Sequence, residues 1–135
     1  MRFYTSCCKR RVHMRTNTVL GAVLVVGLLA NALVGSTLPE SGLLPLHGVI
    51  GAVALVLAVA YAYTGRKFRP ALALGILFLV VLILQAALGQ AALGGASLSD
   101  QAENPVATVH RFVGWAGFLV GLVGVIFVER AARRA

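Results

Sequence analysis

The stretch PALALGILFLVVLILQAALGQAAL, residues 70–93, runs for 24 residues without a charge. At ~1.5 Å per residue a helix of that length covers the ~30 Å apolar core of a bilayer. Lipid offers no water to the backbone, so such a run satisfies its own N–H and C=O groups as a helix rather than a strand. Comparable apolar runs occupy about 18–34, 45–63 and 105–128. Pro45, Pro70 and Pro105 each fall at a first-turn position, where a missing N–H costs nothing, and Asn104 is a ready N-cap. The expected fold is therefore all-α, a four-helix transmembrane bundle built from two related helical hairpins.

Composition points the same way. Hydrophobic residues make up 59% of the 135 residues and charged residues 12%. A soluble domain balances near roughly 45–50% and about 25%, so lipid has to cover the excess apolar surface. The net charge of +8 invites a nucleic-acid reading, but the cations form no continuous face. They cluster at the ends of the apolar runs, where orientation signals belong, and no nucleic-acid partner is expected.

Arg2, Lys9, Arg10, Arg11 and Arg15 precede the first run, Arg66, Lys67 and Arg69 separate the second from the third, and Arg130, Arg133 and Arg134 follow the fourth. All of these lie on one side of a four-span topology, and Arg111 is the remaining cation. The opposite loops carry Glu40, Asp100 and Glu103 and no Lys or Arg. By the positive-inside rule both termini are cytoplasmic, in a multi-pass protein of the plasma membrane. The expected organisation is a basic tail at 1–16, the transmembrane domain at 17–130, and a second basic tail at 131–135. The first run ends in Gly35-Ser36-Thr37 without a convincing cleavage site, so it reads as a span rather than a signal peptide. Met1 and Met14 are both candidate starts. Cys7 and Cys8 lie in the tail on the reducing side and read as unpaired thiols, with palmitoylation or metal binding as alternatives.

Ionisable residues inside spans are costly and ask for a reason. His47, His110 and Arg111 are the ones present, joined by the uncharged Asn31, Gln85 and Gln90. His47 follows Pro45 at the start of the second span, and His110 follows Pro105 at the start of the fourth. Those spans run in the same direction, so both imidazoles are expected at similar depth near the outer surface. Gly51 and Gly114 each lie four residues beyond a histidine, on the same helix face. A glycine there leaves a flat slot beside the ring, which Gly48 and Gly117 would widen. Two imidazoles facing each other across a pseudo-two-fold axis can ligate one haem iron from opposite faces, an arrangement suited to electron transfer or a structural haem. Arg111 is placed for a haem propionate, or alternatively for water or an acidic loop residue. Zinc or copper would require further ligands that the sequence does not offer nearby. His13, in the tail, is assigned nothing.

The segment Leu84-Gln85-Ala86-Ala87-Leu88-Gly89, a small-residue loop, then His110-Arg111, resembles the third-to-fourth helix region of the haem A synthases. Those are eight-span enzymes made of two four-helix halves, with histidines on the second and fourth helices of each half. The spacing of 63 residues between His47 and His110 is similar to that within one half. The likeness spans about 18–128 through short motifs. It implies that His47 and His110 are axial ligands, most simply of haem b, and that a half-size protein would dimerise or join a respiratory oxidase complex. The catalytic half of that family carries a glutamate three residues before the first histidine, where this chain has Leu44, and the family's outer-loop cysteine pair is missing. Glu40 is the one weak catalytic candidate. The expectations are thus a half-size haem A synthase-like oxidoreductase or haem-handling protein, a non-catalytic haem b subunit, or a membrane subunit without a cofactor.

Overall fold

A computed structural model of the chain describes residues 3–37, 43–95 and 104–134, with side chains described at 16–37, 43–92 and 104–134. Among these residues the chain forms four helices: α1 Phe3–Ser36, α2 Leu44–Gly65, α3 Arg69–Gly95 and α4 Pro105–Arg134. Each contains a segment long and apolar enough to cross a membrane. The runs expected at 18–34, 45–63, 70–93 and 105–128 all lie within these helices. Glu40, Asp100 and Glu103 lie outside the described residues, as do the side chains of Cys7, Cys8 and His13.

Local chemistry explains the starts. Pro45 sits in the first turn of α2, and Pro70 and Pro105 occupy the opening turns of α3 and α4. Asn104 caps α4, its Oδ1 accepting from the Val106 N–H at 2.9 Å. The helices overrun the spans at their basic ends. The segment before Thr16 is helical back to Phe3, where the sequence suggested only a polar tail. It contains no Gly or Pro to stop a helix already nucleated by the span.

Neighbouring helices run antiparallel and pack in the cyclic order α1–α2–α3–α4 and back to α1. Their register is fixed by close pairs: Gly21 against Tyr61, Gly75 against Ala62, Gly121 against Phe78, and Gly124 against Leu74. The tightest is Gly75, where a Cβ would stand 2.7 Å from both Cα and Cβ of Ala62. Backbone meets backbone there, so only glycine lets α2 and α3 approach this closely.

The core is a narrow column along the bundle axis that includes Leu24, Ala54, Ala58, Leu74 and Phe78. Tyr61, 1% exposed, packs edge-on against Phe78 with ring centroids 6.0 Å apart. Large apolar side chains point outward instead, among them Val26, Val56, Phe112, Val123 and Phe127. So much exposed hydrocarbon is a liability in water and ordinary in lipid.

The two ends differ. At the basic end a tight turn, with the Phe68 N–H donating to Gly65 O at 2.8 Å, links α2 to α3. The Arg66 guanidinium there lies 3.9 Å above the Tyr63 ring. Thr18 of α1 donates to the Glu129 carboxylate of α4, and Glu129 also accepts from Arg133 Nε at 3.0 Å. The histidines occupy the opposite end.

Candidate functional site

α2 and α4 are diagonal partners in the bundle, and each aims a histidine from its first two turns inward. The His47 and His110 ring centroids are 5.9 Å apart, with planes crossing at 77°. Similar depth, expected from the sequence, thus becomes direct contact between the rings.

Each ring rests on a glycine of the helix before it. A Cβ at Gly35 of α1 would stand 2.9 Å from His47 Cε1, and one at Gly89 of α3 would stand 3.3 Å from His110 Cε1. These are the cradle positions that sequence reasoning missed, because they lie on helices other than those of the histidines. The signal available was the shared placement of Gly35 and Gly89, each four residues beyond an amide side chain within an apolar run, Asn31 and Gln85.

Gly51 and Gly114 serve a different neighbour. The nearest atom to a Cβ at Gly51 is Asn31 Nδ2 at 3.9 Å, and at Gly114 it is Gln85 Nε2 at 3.2 Å. Each leaves room for an amide from the adjacent helix rather than an open slot beside an imidazole. Gly117 abuts Val81, and Gly48 has no heavy atom within 4 Å of its Cβ position. The amides hold the site together differently. Gln85 Nε2 donates to the His110 backbone O at 2.9 Å, whereas Asn31 Oδ1 is buried without a partner.

The ring nitrogens also differ. His47 Nδ1 lies 3.1 Å from the backbone O of Asn31. A carbonyl can only accept, so Nδ1 carries the proton and Nε2 is left with its lone pair. The Gln85 carbonyl is the counterpart beside His110, but the geometry falls short of a hydrogen bond and His110 Nδ1 is buried without a partner.

A cavity of about 40 Å³ adjoins the rings, walled by residues that include Leu28, Ala32, Leu82, Arg111 and Trp115. α2 contributes only His47 to it, so α1, α3 and α4 form most of the wall. Arg111 therefore lies at the site. Among the described residues no group of three or more His, Cys, Asp or Glu side chains gathers to hold a metal ion.

Does this donor set fit an iron porphyrin? Metal–nitrogen bonds of ~2 Å on opposite sides of one ion put imidazole centres about 6 Å apart; 5.9 Å falls in that range, as it does in that of two rings in plain edge-to-face contact. The Nδ1–H of His47 bonded to a backbone carbonyl is the usual support of a metal-ligating imidazole. Orphaned buried nitrogen and oxygen atoms mark a site whose polar demands are not met by protein alone. The macrocycle is a separate matter. With a water needing roughly 10–15 Å³ of such volume, 40 Å³ accommodates a few waters, and a porphyrin would have to move the apolar walls apart. The ligands fit; the ring requires the bundle to widen. The chain matches no protein-family model, no characterised protein and no solved structure.

Proposed function

We propose that this chain is an integral membrane haem protein in which His47 and His110 ligate one iron, resembling a half-size haem A synthase that makes or handles haem. The observation that carries the reading is the contact of two inward-facing imidazoles, from diagonal helices, at a ring separation of 5.9 Å. The pairings Asn31–Gly51 and Gln85–Gly114, with Gly35 and Gly89 beneath the rings, support two related hairpins around a pseudo-two-fold axis. Haem b is the simplest occupant, and when bound it supplies a one-electron couple. His47, held through Nδ1 by the Asn31 carbonyl, would supply Nε2 as one ligand and His110 the other. Arg111, at the cavity wall, offers a forked cation to a propionate.

The cation distribution supports cytoplasmic termini and a haem near the outer face of the plasma membrane. A second reading is a non-catalytic haem b subunit of a respiratory oxidase or related complex, with relay or assembly as its role. One observation favours it: Leu44 stands where the family's catalytic half has its glutamate.

A reduced-minus-oxidised spectrum and a pyridine haemochrome of the purified protein test the proposal. A low-spin haem b spectrum is expected, lost in His47→Ala and His110→Ala and retained in His13→Ala. Protein purified without any haem band, and unable to take up added haemin, would rule the reading out. A modified methyl or farnesyl group on the extracted haem would select the enzyme over the subunit.

A further inference from the structure

The end of the bundle away from the histidines carries an unbalanced charge. Of the 12 Lys and Arg residues, all but Arg111 belong to that end by their place in the chain, against one carboxylate, Glu129. Glu129 is already committed, accepting from Thr18 of α1 and from Arg133 Nε at 3.0 Å. Arg66 is held as well: it donates to Tyr63 O at 3.2 Å, with its guanidinium over the Tyr63 ring. Lys67, Arg69, Arg130 and Arg134 are left over. All four are exposed, and among the described residues none of their side chains has an ion pair or hydrogen bond.

Packing brings these four cations together from opposite halves of the chain. Leu74 of α3 rests on Gly124 of α4, and Phe78 on Gly121. In an antiparallel pair, counting equally from Leu74 and from Gly124 toward the basic end pairs Arg69 with Glu129, so Arg69 and Arg130 share a depth. α4 then runs on to Arg134, roughly 7 Å of helix, past the turn that holds Lys67. Tyr63 lies further in, since its neighbour Ala62 meets Gly75. Its ring is 65% exposed, and an exposed tyrosine beneath a guanidinium is the amphipathic pairing expected where hydrocarbon gives way to headgroups. The four free cations therefore fall in the phosphate layer.

We infer that Lys67, Arg69, Arg130 and Arg134 form a seat for the phosphates of anionic phospholipids in the leaflet that this end faces. Clusters of four or more Lys or Arg at the end of a span enrich anionic lipid, by roughly fivefold for each cation engaged. The three arginines can each fork two N–H donors onto one phosphate, and Lys67 adds a point charge. The seat is independent of the haem reading, which concerns the opposite end of the molecule.

The experiment uses the full-length chain reconstituted in phosphatidylcholine bilayers, with spin-labelled phosphatidylglycerol and spin-labelled phosphatidylcholine as probes. Electron paramagnetic resonance reads the fraction of each lipid immobilised at the protein. Wild type is expected to hold phosphatidylglycerol over phosphatidylcholine by at least ~5-fold at low salt, and added sodium chloride should shrink that ratio. The combined substitutions Lys67→Gln, Arg69→Gln, Arg130→Gln and Arg134→Gln should abolish the preference. Should that variant fail to insert, the pairs Lys67→Gln with Arg69→Gln and Arg130→Gln with Arg134→Gln serve separately. Each is read against Arg10→Gln with Arg11→Gln, which removes the same charge from the start of α1 and should leave most of the preference in place.

A wild type without preference for phosphatidylglycerol, or with one indifferent to salt, overturns the inference. So does an Arg10 and Arg11 variant that loses as much as either pair, because the attraction would then follow total charge rather than the seat. Inorganic phosphate that competes beyond chloride of equal ionic strength would assign the cations to a soluble anion and overturn the lipid assignment.

Discussion

Gly75→Ala tests the packing that brings the histidines together. The added Cβ would lie 2.7 Å from the Cα and Cβ of Ala62 and 3.0 Å from its N, against 3.4 Å for the start of ordinary contact. Two of those three atoms are backbone and cannot swing aside, so the seam between α2 and α3 has to open by roughly 0.7 Å. A gap of about 0.5–1 Å forfeits a quarter to a half of each dispersion contact it separates. Overpacking of this kind typically costs ~1–3 kcal/mol, while alanine's better helix propensity returns up to ~1 kcal/mol. The expected net destabilisation is therefore about 1–2 kcal/mol. Gly27→Ala is the control, since nothing lies within 4 Å of its Cβ position, and it should be neutral or slightly stabilising. The assay is unfolding in mixed micelles with increasing SDS, followed through the single tryptophan, Trp115. Equal midpoints for the two variants would refute the claim that backbone proximity at Gly75 sets the α2–α3 distance.

Other expectations concern the core, the basic end and the topology. Tyr61→Ala should cost ~3 kcal/mol by emptying space beside Phe78 and Gly21, and Tyr61→Phe, which keeps the ring, should cost far less in the same SDS titration. Thr18→Val and Glu129→Gln, combined in a double-mutant cycle, should show a coupling of ~0.5–1 kcal/mol, since the hydroxyl–carboxylate bond joins α1 to α4; additive effects would mean that the bond contributes nothing. A green fluorescent protein fused after Ala135 should fluoresce in cells if the basic end is cytoplasmic, and a dark fusion that is nonetheless expressed would reverse the orientation.

The helices were legible in the sequence because lipid leaves the backbone a single option, and because Pro45, Pro70, Pro105 and Asn104 mark where three of them start. The convergence of His47 and His110 was legible because both open helices that run the same way. The cradle was not. Gly35 and Gly89 touch the rings from other helices, and their register depends on interhelical packing such as Gly75 on Ala62, which periodicity within one helix does not encode. For the same reason Gly51 and Gly114, which share a helix face with the histidines, suggested an open slot where the folded chain puts the amides of Asn31 and Gln85 alongside. The continuation of α1 back to Phe3 was missed because polar composition was read as a tail, although nothing in that segment resists a helix.

Three of the four seams in the bundle lie between helices consecutive in sequence. The α1–α4 seam does not: no connection joins those two helices, and both of them line the cavity beside the histidines. Parting α1 from α4 therefore stretches no loop and breaks mostly contacts that hydrocarbon tails can replace. A flat, greasy molecule dissolved in the bilayer could approach the imidazoles sideways through that seam, without crossing water and without unfolding a helix.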